Sequence, residues 1–414
     1  MKHQDVIRVV GPETARMLEL GHPWVVADSF TRKWPHGSCG DLVHLSDQQK
    51  RFLATALLDP QERVVARVLD RLPVQITRSW LVQRCRTAIQ LRQHANLTTT
   101  TAYRLINAEG DALPGITVDR YGDFLLLQLY TAAWRPHLKL LTDVLQELLS
   151  PRGIYEKQRP HNTQQLAASA DTKKYGTLLT GKAAPPRLEV RENGLLFVVQ
   201  LEQGLHTGLF LDQRSNRRDL MQRVKGKRVL NLFSYSGAFS VAAVAGGATH
   251  VTSIDASARY NEMARENFAA NGFDHRNHSF ITGDCLTELA ALSQRSARFD
   301  VILMDPPSFS TTAKNRFTTR GGTSDLIAAS LPLLTSNGLL IASSNHQKVD
   351  NADYLKELRR GALQADSELR VVSLFGQGED FPYPVTFPEG RYLKYAVCVK
   401  TDYSPLTKQN KEFI

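Results

Sequence analysis

Four short stretches hold the side chains best suited to chemistry: Ser234-Tyr235-Ser236-Gly237, Asp255-Ala256, Gly283-Asp284-Cys285 and Asp305-Pro306-Pro307-Ser308-Phe309. Each follows an apolar run that reads as a strand. Gly237 lets the backbone turn tightly against a ligand, and the helix that follows offers free N–H groups. Asp255 stands where nucleotide-binding sheets keep an acid for ribose hydroxyls. Asp284, or a backbone N–H beside it, can meet an adenine edge. The two prolines fix φ and remove donors, leaving a stiff loop that presents carbonyl acceptors. Asp305 and those carbonyls can hold the amino group of a base, and Phe309 can stack on its face. Each signal has a structural reading: a turn glycine, helix N-caps, prolines that merely end a strand, a phenylalanine in the core. Together, at four successive strand ends, they point to a nucleoside-cofactor site. The full G-x-G-x-x-G is missing, which argues against a dinucleotide. S-adenosylmethionine carries no phosphate and needs no such cradle.

The elements that must position these residues alternate. Residues 228–233, 250–255, 278–282 and 299–305 read as strands, with helices over 238–245 and 257–271. Strand–helix alternation implies a parallel, doubly wound α/β sheet with ligands beyond the carboxyl ends of its strands. Upstream, residues 76–184 read as a mixed α+β domain. It has a helix over 79–94, a hairpin of 116–121 and 124–130 about Gly122-Asp123, and helical spacing of Trp134, Leu138, Leu141, Leu145 and Leu148. Gly181-Lys182-Ala183-Ala184-Pro185-Pro186 reads as a linker. Residues 1–75 hold strand candidates at 21–25, 40–45, 52–58 and 64–69, which a small β-barrel would close. The expected domains are therefore 1–75, 76–184 and 185–402, with a polar tail over 403–414.

The 414 residues are 42% hydrophobic and 22% charged, as in ordinary globular domains. No apolar run approaches the roughly 18 residues of a membrane span. No secretory h-region opens the chain. Cys39, Cys85, Cys285 and Cys398 have no close C-x-x-C spacing, so no metal site or disulfide framework is indicated and a cytoplasmic location is expected. The net charge of +10 favours a polyanion partner. No acid occurs between Asp70 and Glu109, a stretch that includes Arg78, Arg84, Arg86, Arg92 and Arg104. The guanidinium fork suits phosphate, so these arginines are the expected RNA contacts.

Several motifs in one order resemble a known family, the class I S-adenosylmethionine-dependent 23S rRNA methyltransferases with an N-terminal PUA domain. They are His22-Pro23-Trp24-Val25, Tyr103-Arg104-Leu105-Ile106 and the run from Leu113 to Gly122. Downstream follow the run from Thr207 to Arg214, Val229 to Gly237, Asp305-Pro306-Pro307, and Phe387 to Lys394. The resemblance covers nearly the whole chain. It implies a Rossmann-like methyltransferase domain preceded by a β-barrel PUA domain and a central α+β domain. It implies S-adenosylmethionine as cofactor, held by Asp212, Gln213, Arg214, Asn231, Phe233, Ser234, Tyr235, Gly237, Asp255, Ala256, Asp284, Cys285 and Asp305. Asp305, Pro306, Pro307 and Phe309 would handle the target base, with no metal. The partner would be 23S rRNA or a large-subunit assembly intermediate, with no membrane; a homodimer is open. One departure matters. The 5-methylcytosine members carry a Cys on the strand after the Asp-Pro-Pro loop, because carbon-5 becomes nucleophilic only when a thiolate adds to the ring. Here that strand reads Ala342-Ser343-Ser344-Asn345-His346. The departure favours a guanine-nitrogen acceptor, ring nitrogen 7 ahead of the exocyclic amine, over cytosine carbon methylation. A binding factor without catalysis is the rival of another class, against which an intact Asp255 and Asp305 count.

Overall fold

A computed structural model describes residues 6–158, 173–307, 309–311, 316–318 and 322–401. The chain divides into two compact units. The first comprises Met1–Leu188, Gln200–Thr207 and Glu379–Gly390. Its first sheet holds β1 (Val6–Val9), β2 (Trp24–Val26), β3 (Leu42–Ser46), β4 (Phe52–Leu58) and β5 (Val64–Asp70) in the order β1-β3-β4-β5-β2, with α1 (Pro12–Glu19) between β1 and β2. Strand β1 and helix α1 were not expected from sequence. The helix is two turns long and buries only Ala15 and Leu18, too brief a periodicity to stand out. Then come α2 (Arg78–Leu91), β6 (Ala102–Asn107), β7 (Ile116–Tyr121), β8 (Phe124–Leu129), α3 (Leu138–Leu149), β9 (Gly153–Lys157) and β10 (Gly176–Gly181). The sheet runs β10-β9-β8-β7-β6. The β7–β8 turn needs Gly122 at φ 59°. Leu81, Cys85 and Ala88 of α2 and Leu141, Val144 and Leu145 of α3 share one core with Ile116, Val118, Leu125 and Leu127. Each such aliphatic side chain contributes roughly 1.5–3 kcal/mol by leaving water.

The boundary expected at residue 184/185 is corrected. Residues 200–207 and 379–390, assigned from sequence to the catalytic domain, pack with the first unit. Hydrogen bonds hold them there: Tyr121 and Thr207 join through their hydroxyls at 2.9 Å, and Asn107 Nδ2 donates to the Pro382 carbonyl at 2.8 Å. Chain order does not disclose such returns. The expected tail over 403–414 lies outside the described residues.

The second unit comprises Glu189–Val199, Gly208–Gly378 and Arg391–Ile414. It opens with the hairpin β11 (Leu188–Glu192, all but its first residue in this unit) and β12 (Leu195–Val199), then α4 (Arg214–Met221). Its central elements are β13 (Arg228–Leu232), α5 (Ala238–Ala245), β14 (His250–Asp255), α6 (Ala258–Ala270), β15 (Ser279–Thr282), α7 (Cys285–Gln294) and β16 (Phe299–Met304). A small hairpin follows, β17 (Phe309–Thr311) with β18 (Arg316–Thr318), then α8 (Gly322–Ser330), β19 (Leu334–Ser344), α9 (Asn351–Gln364), β20 (Glu368–Phe375) and β21 (Lys394–Thr401). The seven-stranded sheet has the order β15-β14-β13-β16-β19-β21-β20. Its first five strands are parallel, and β21 runs antiparallel to both neighbours. Both faces are covered: Ile302 and Met304 of β16 enter one core and Val301 and Leu303 the other. That explains the unbroken apolar runs. The chain reverses direction across the sheet between β13 and β16, which opens a crevice at their carboxyl ends. No helix among the described residues is long and apolar enough to cross a membrane.

Candidate active site

The loop after β13 is held in a rare backbone shape. Phe233 and Tyr235 have φ of 56° and 48°, and Gly237, the N-cap of α5, has φ of 73°. Non-glycine residues adopt such angles only when their surroundings impose them. Asp255 supplies part of that constraint. Its Oδ2 accepts the Tyr235 N–H at 2.8 Å and its Oδ1 the Ser257 N–H at 2.9 Å. The two oxygens thereby tie the loop after β13 to the start of α6. The Gly237 expectation is refined: a Cβ there would stand 2.6 Å from the Ala264 Cβ of α6, so helix packing demands the glycine.

A second network joins the ends of β16 and β19. Gln213 Nε2 donates to Asp305 Oδ2 at 3.0 Å and to Ser343 Oγ at 2.8 Å, and its Oε1 accepts from Asn216 Nδ2 at 2.6 Å. Asn216 thereby fixes which way the Gln213 amide points. Desolvation, more than the nearby Asp212, pushes the Asp305 carboxyl up to about 6, against the hydrogen bonds from Ser343 and Gln213. Asp305 keeps part of its surface open, and Pro306 is buried while Pro307 is exposed. Asp212 accepts the Tyr392 hydroxyl at 2.7 Å. The segment carrying Asp212 and Gln213 is anchored by Arg217, which grips Glu192 through two bonds of 2.6 and 2.7 Å and also donates to the Phe210 carbonyl.

Several expected contacts turn away from any ligand. Asn231 donates to Ser240 Oγ, which meets Ser253 Oγ at 2.7 Å, so it braces β13 against α5. Arg214 is 0% exposed and offers no surface to a cofactor. Gln213, 2% exposed, acts through Asp305. Asp284 caps α7 by accepting from the Thr287 N–H. Cys285 sits in the core with Leu232 and Ile254, its thiol pushed up to about 12 mainly by burial. Ala256 is exposed beside Asp255. The Ser308 position and the Phe309 side chain lie outside the described residues; the Phe309 backbone pairs with Thr318. Conversely, Ser234 Oγ is buried with no hydrogen-bond partner among the described residues, in a residue 6% exposed in the loop after β13. An orphaned hydroxyl there fits a polar ligand in the crevice. Sequence reasoning gave no role to Tyr392 and Lys394; a lysine directly before the apolar run of β21 was the available signal.

The RNA contacts need the largest correction. Arg92 is 4% exposed, and its five donors go to the Arg104, Ala88 and Asp380 carbonyls and both oxygens of Asp111. Arg104 is held by Asp119 and Asn107 and stacks on Phe381. Arg92 offers no surface to a phosphate, and little of the Arg104 side chain is exposed. Arg84 pairs with Asp70, and Arg78 with Glu147 at the surface. Arg86 is exposed. The stretch has no acid of its own, but the fold brings acids to it from Asp70, Asp111, Asp119 and Glu147.

Comparison with known proteins shows the family. The model of the S-adenosylmethionine-dependent methyltransferase family matches residues 104–384, and that of the PUA-like domain residues 9–71. The ribosomal RNA large subunit methyltransferase I of Escherichia coli O127:H6 is 33% identical over 384 residues, 91% of this chain and 95% of that protein. That of Photobacterium profundum is 33% identical, covering 92% and 96%. The solved structure of SMU.776, a methyltransferase complexed with SAH, superposes with a TM-score of 0.85 at 30% identity over 95% of this chain and all of the other.

Proposed function

The chain belongs to the S-adenosylmethionine-dependent methyltransferases and carries a PUA-like domain, and on that footing we propose that it methylates a base of large-subunit ribosomal RNA, with guanine nitrogen 7 as the acceptor. The RNA class rests on likeness to the two large-subunit rRNA methyltransferases. The nitrogen acceptor rests on where the thiols are. Cys398 lies in β21 opposite Leu340, and Cys85 in the α2 core. Cys39 donates to Asp59 in the first unit. Cys285 is the one thiol near the crevice, and burial keeps it protonated. Cytosine carbon-5 needs a thiolate on the ring, whereas guanine nitrogen 7 already carries a lone pair and releases no proton.

S-adenosylmethionine supplies an electrophilic methyl on a sulfonium, with a good leaving group built in. Asp255 would hold the ribose hydroxyls while it keeps the Tyr235 loop in shape. Ser234, Tyr235 and Asp212 would complete the cofactor's surroundings. Asp305, steadied by Gln213 and Ser343, accepts hydrogen bonds from the amino edge of the splayed guanine. Catalysis is then alignment: the acceptor held in line with methyl and sulfur supplies most of the rate. Exposed Arg78 and Arg86 remain as phosphate contacts. The working location is the cytoplasm, on rRNA or an assembling large subunit. The test compares rRNA from cells with and without the gene. Borohydride and aniline should cleave large-subunit RNA at one site only where the gene is present, since 7-methylguanine is labile to that chemistry. A gene-dependent change confined to 5-methylcytidine would overturn the proposal.

A further inference from the structure

Lys394 opens β21 opposite Ser344 and is 3% exposed. A buried ammonium needs acceptors for its protons. Two are given: Nζ donates to the His346 carbonyl at 2.7 Å and to the Tyr392 carbonyl at 2.7 Å. The first belongs to the loop leaving β19, directly after Ser343 and Ser344. The second belongs to the residue whose hydroxyl donates to Asp212. One cation thus ties the end of β19 to the strap that reaches Asp212. A neutral hydrophobe of similar length would fill the same space without that connection. We propose that Lys394 is a positioning residue that holds Tyr392 on Asp212, and with it the cofactor-facing segment before α4. The inference rests on the reading that Asp212 faces the cofactor; it does not depend on which RNA base accepts the methyl.

The environment gives the connection a titration. Desolvation lowers the Lys394 ammonium to about 8, opposed by Asp350. The groups facing it are His346 and Asp350 from the segment after β19, with Lys348 beside His346, and Tyr392 two residues before its own strand. His346 is itself lowered by burial and by the Lys394 and Lys348 charges, so it is neutral where Lys394 titrates. The change near pH 8 therefore belongs to Lys394. Loss of its proton weakens the hold on both carbonyls, since a charged donor bonds about twice as strongly as a neutral one.

The test is calorimetric binding of S-adenosylhomocysteine to the full chain between pH 6.5 and 9.5. Wild-type affinity should fall above about pH 8. Lys394→Met should bind about ten-fold more weakly at pH 7 and show no alkaline fall, and Lys394→Arg should recover most of the loss and stay flat to pH 9.5. Tyr392→Phe should cost a similar factor, and the Lys394→Met/Tyr392→Phe double variant should be no weaker than either single change. Should Lys394→Met fail to fold, the wild-type profile and Tyr392→Phe still decide. Wild-type affinity flat to pH 9.5, or additive losses in the double variant, would overturn the proposal. Asp212→Asn separates this from the site assignment: unchanged affinity in that variant would remove Asp212 from the cofactor site, whatever Lys394 does.

Discussion

Two buried polar networks in this molecule are built from similar side chains and differ in how completely they are paired. In the first unit, Arg92 directs all five donors to carbonyls and to Asp111, while Asp380 accepts the Arg104 N–H with its carboxylate. In the second, Asn216, Gln213, Ser343 and Asp305 are linked, yet Asp305 stays partly open with its carboxyl raised to about 6, and Ser234 Oγ has no partner. A saturated network can only hold the chain together. An unsaturated one at the strand ends keeps binding capacity for something else, at some expense in stability.

The contrast can be broken most forcefully at Arg92. Arg92→Ala leaves Asp111 buried without its partner and should destabilise the first unit by roughly 3–5 kcal/mol. Denaturant unfolding reads this directly; a loss below 1 kcal/mol would mean the network is not holding the unit. Asp255→Ala should act on binding. On the proposed reading it removes charge-assisted bonds to ribose as well as the Tyr235 latch, and should weaken cofactor affinity by roughly 2–4 kcal/mol, about 30- to 1000-fold. Calorimetry with an unchanged affinity would move the site elsewhere. Gln213→Leu removes the amide that steadies Asp305 and should lower kcat/KM by roughly 10- to 100-fold with a smaller change in melting temperature.

Asp305 joins stability to function with opposite signs. Its folded carboxyl is raised from 3.8 to about 6, so its stabilising contribution is fully present below the ordinary carboxylate range and is lost as pH rises through about 6. Asp305→Asn should therefore melt no lower than wild type at pH 7.5 while methyl transfer collapses. In the wild type, kcat/KM should fall about ten-fold per pH unit below pH 6, because the acceptor is the carboxylate. An acid limb that persists in Asp305→Asn would assign the titration to another group. The smallest effect is expected from Arg86→Ala, which should flatten the salt dependence of RNA binding by roughly one unit. Arg92→Lys should leave that slope unchanged.

The strand ends of the second unit were legible because topology forces polar loops to one edge of a parallel sheet, and the periods around Leu230, Ile254 and Ile302 are clean. Helix α5 and strand β14 fall on their expected bounds. Whether Asp284 touched a ligand or capped α7 was open in the sequence, and the cap uses one of its oxygens. The arginine stretch misled because pairing is a property of three-dimensional neighbours: Asp111 and Asp119 lie outside the acid-free window, and Asp380 is far along the chain. The return of residues 379–390 to the first unit was hidden for the same reason. Asn231 and Cys285 sit at strand or helix ends as the other expected contacts do, and only side-chain direction tells them apart.

The central claim is that this site transfers methyl to a ring nitrogen by alignment, with no thiol on the base. Purified protein, methyl-labelled S-adenosylmethionine and unmodified large-subunit RNA test it in one reaction, followed by nucleoside digestion and chromatography of the label. The account predicts label in 7-methylguanosine and no stable adduct with 5-fluorocytosine-substituted RNA. Label in 5-methylcytidine, with a covalent protein–RNA complex that disappears when Cys285 is changed to Ser, would contradict it.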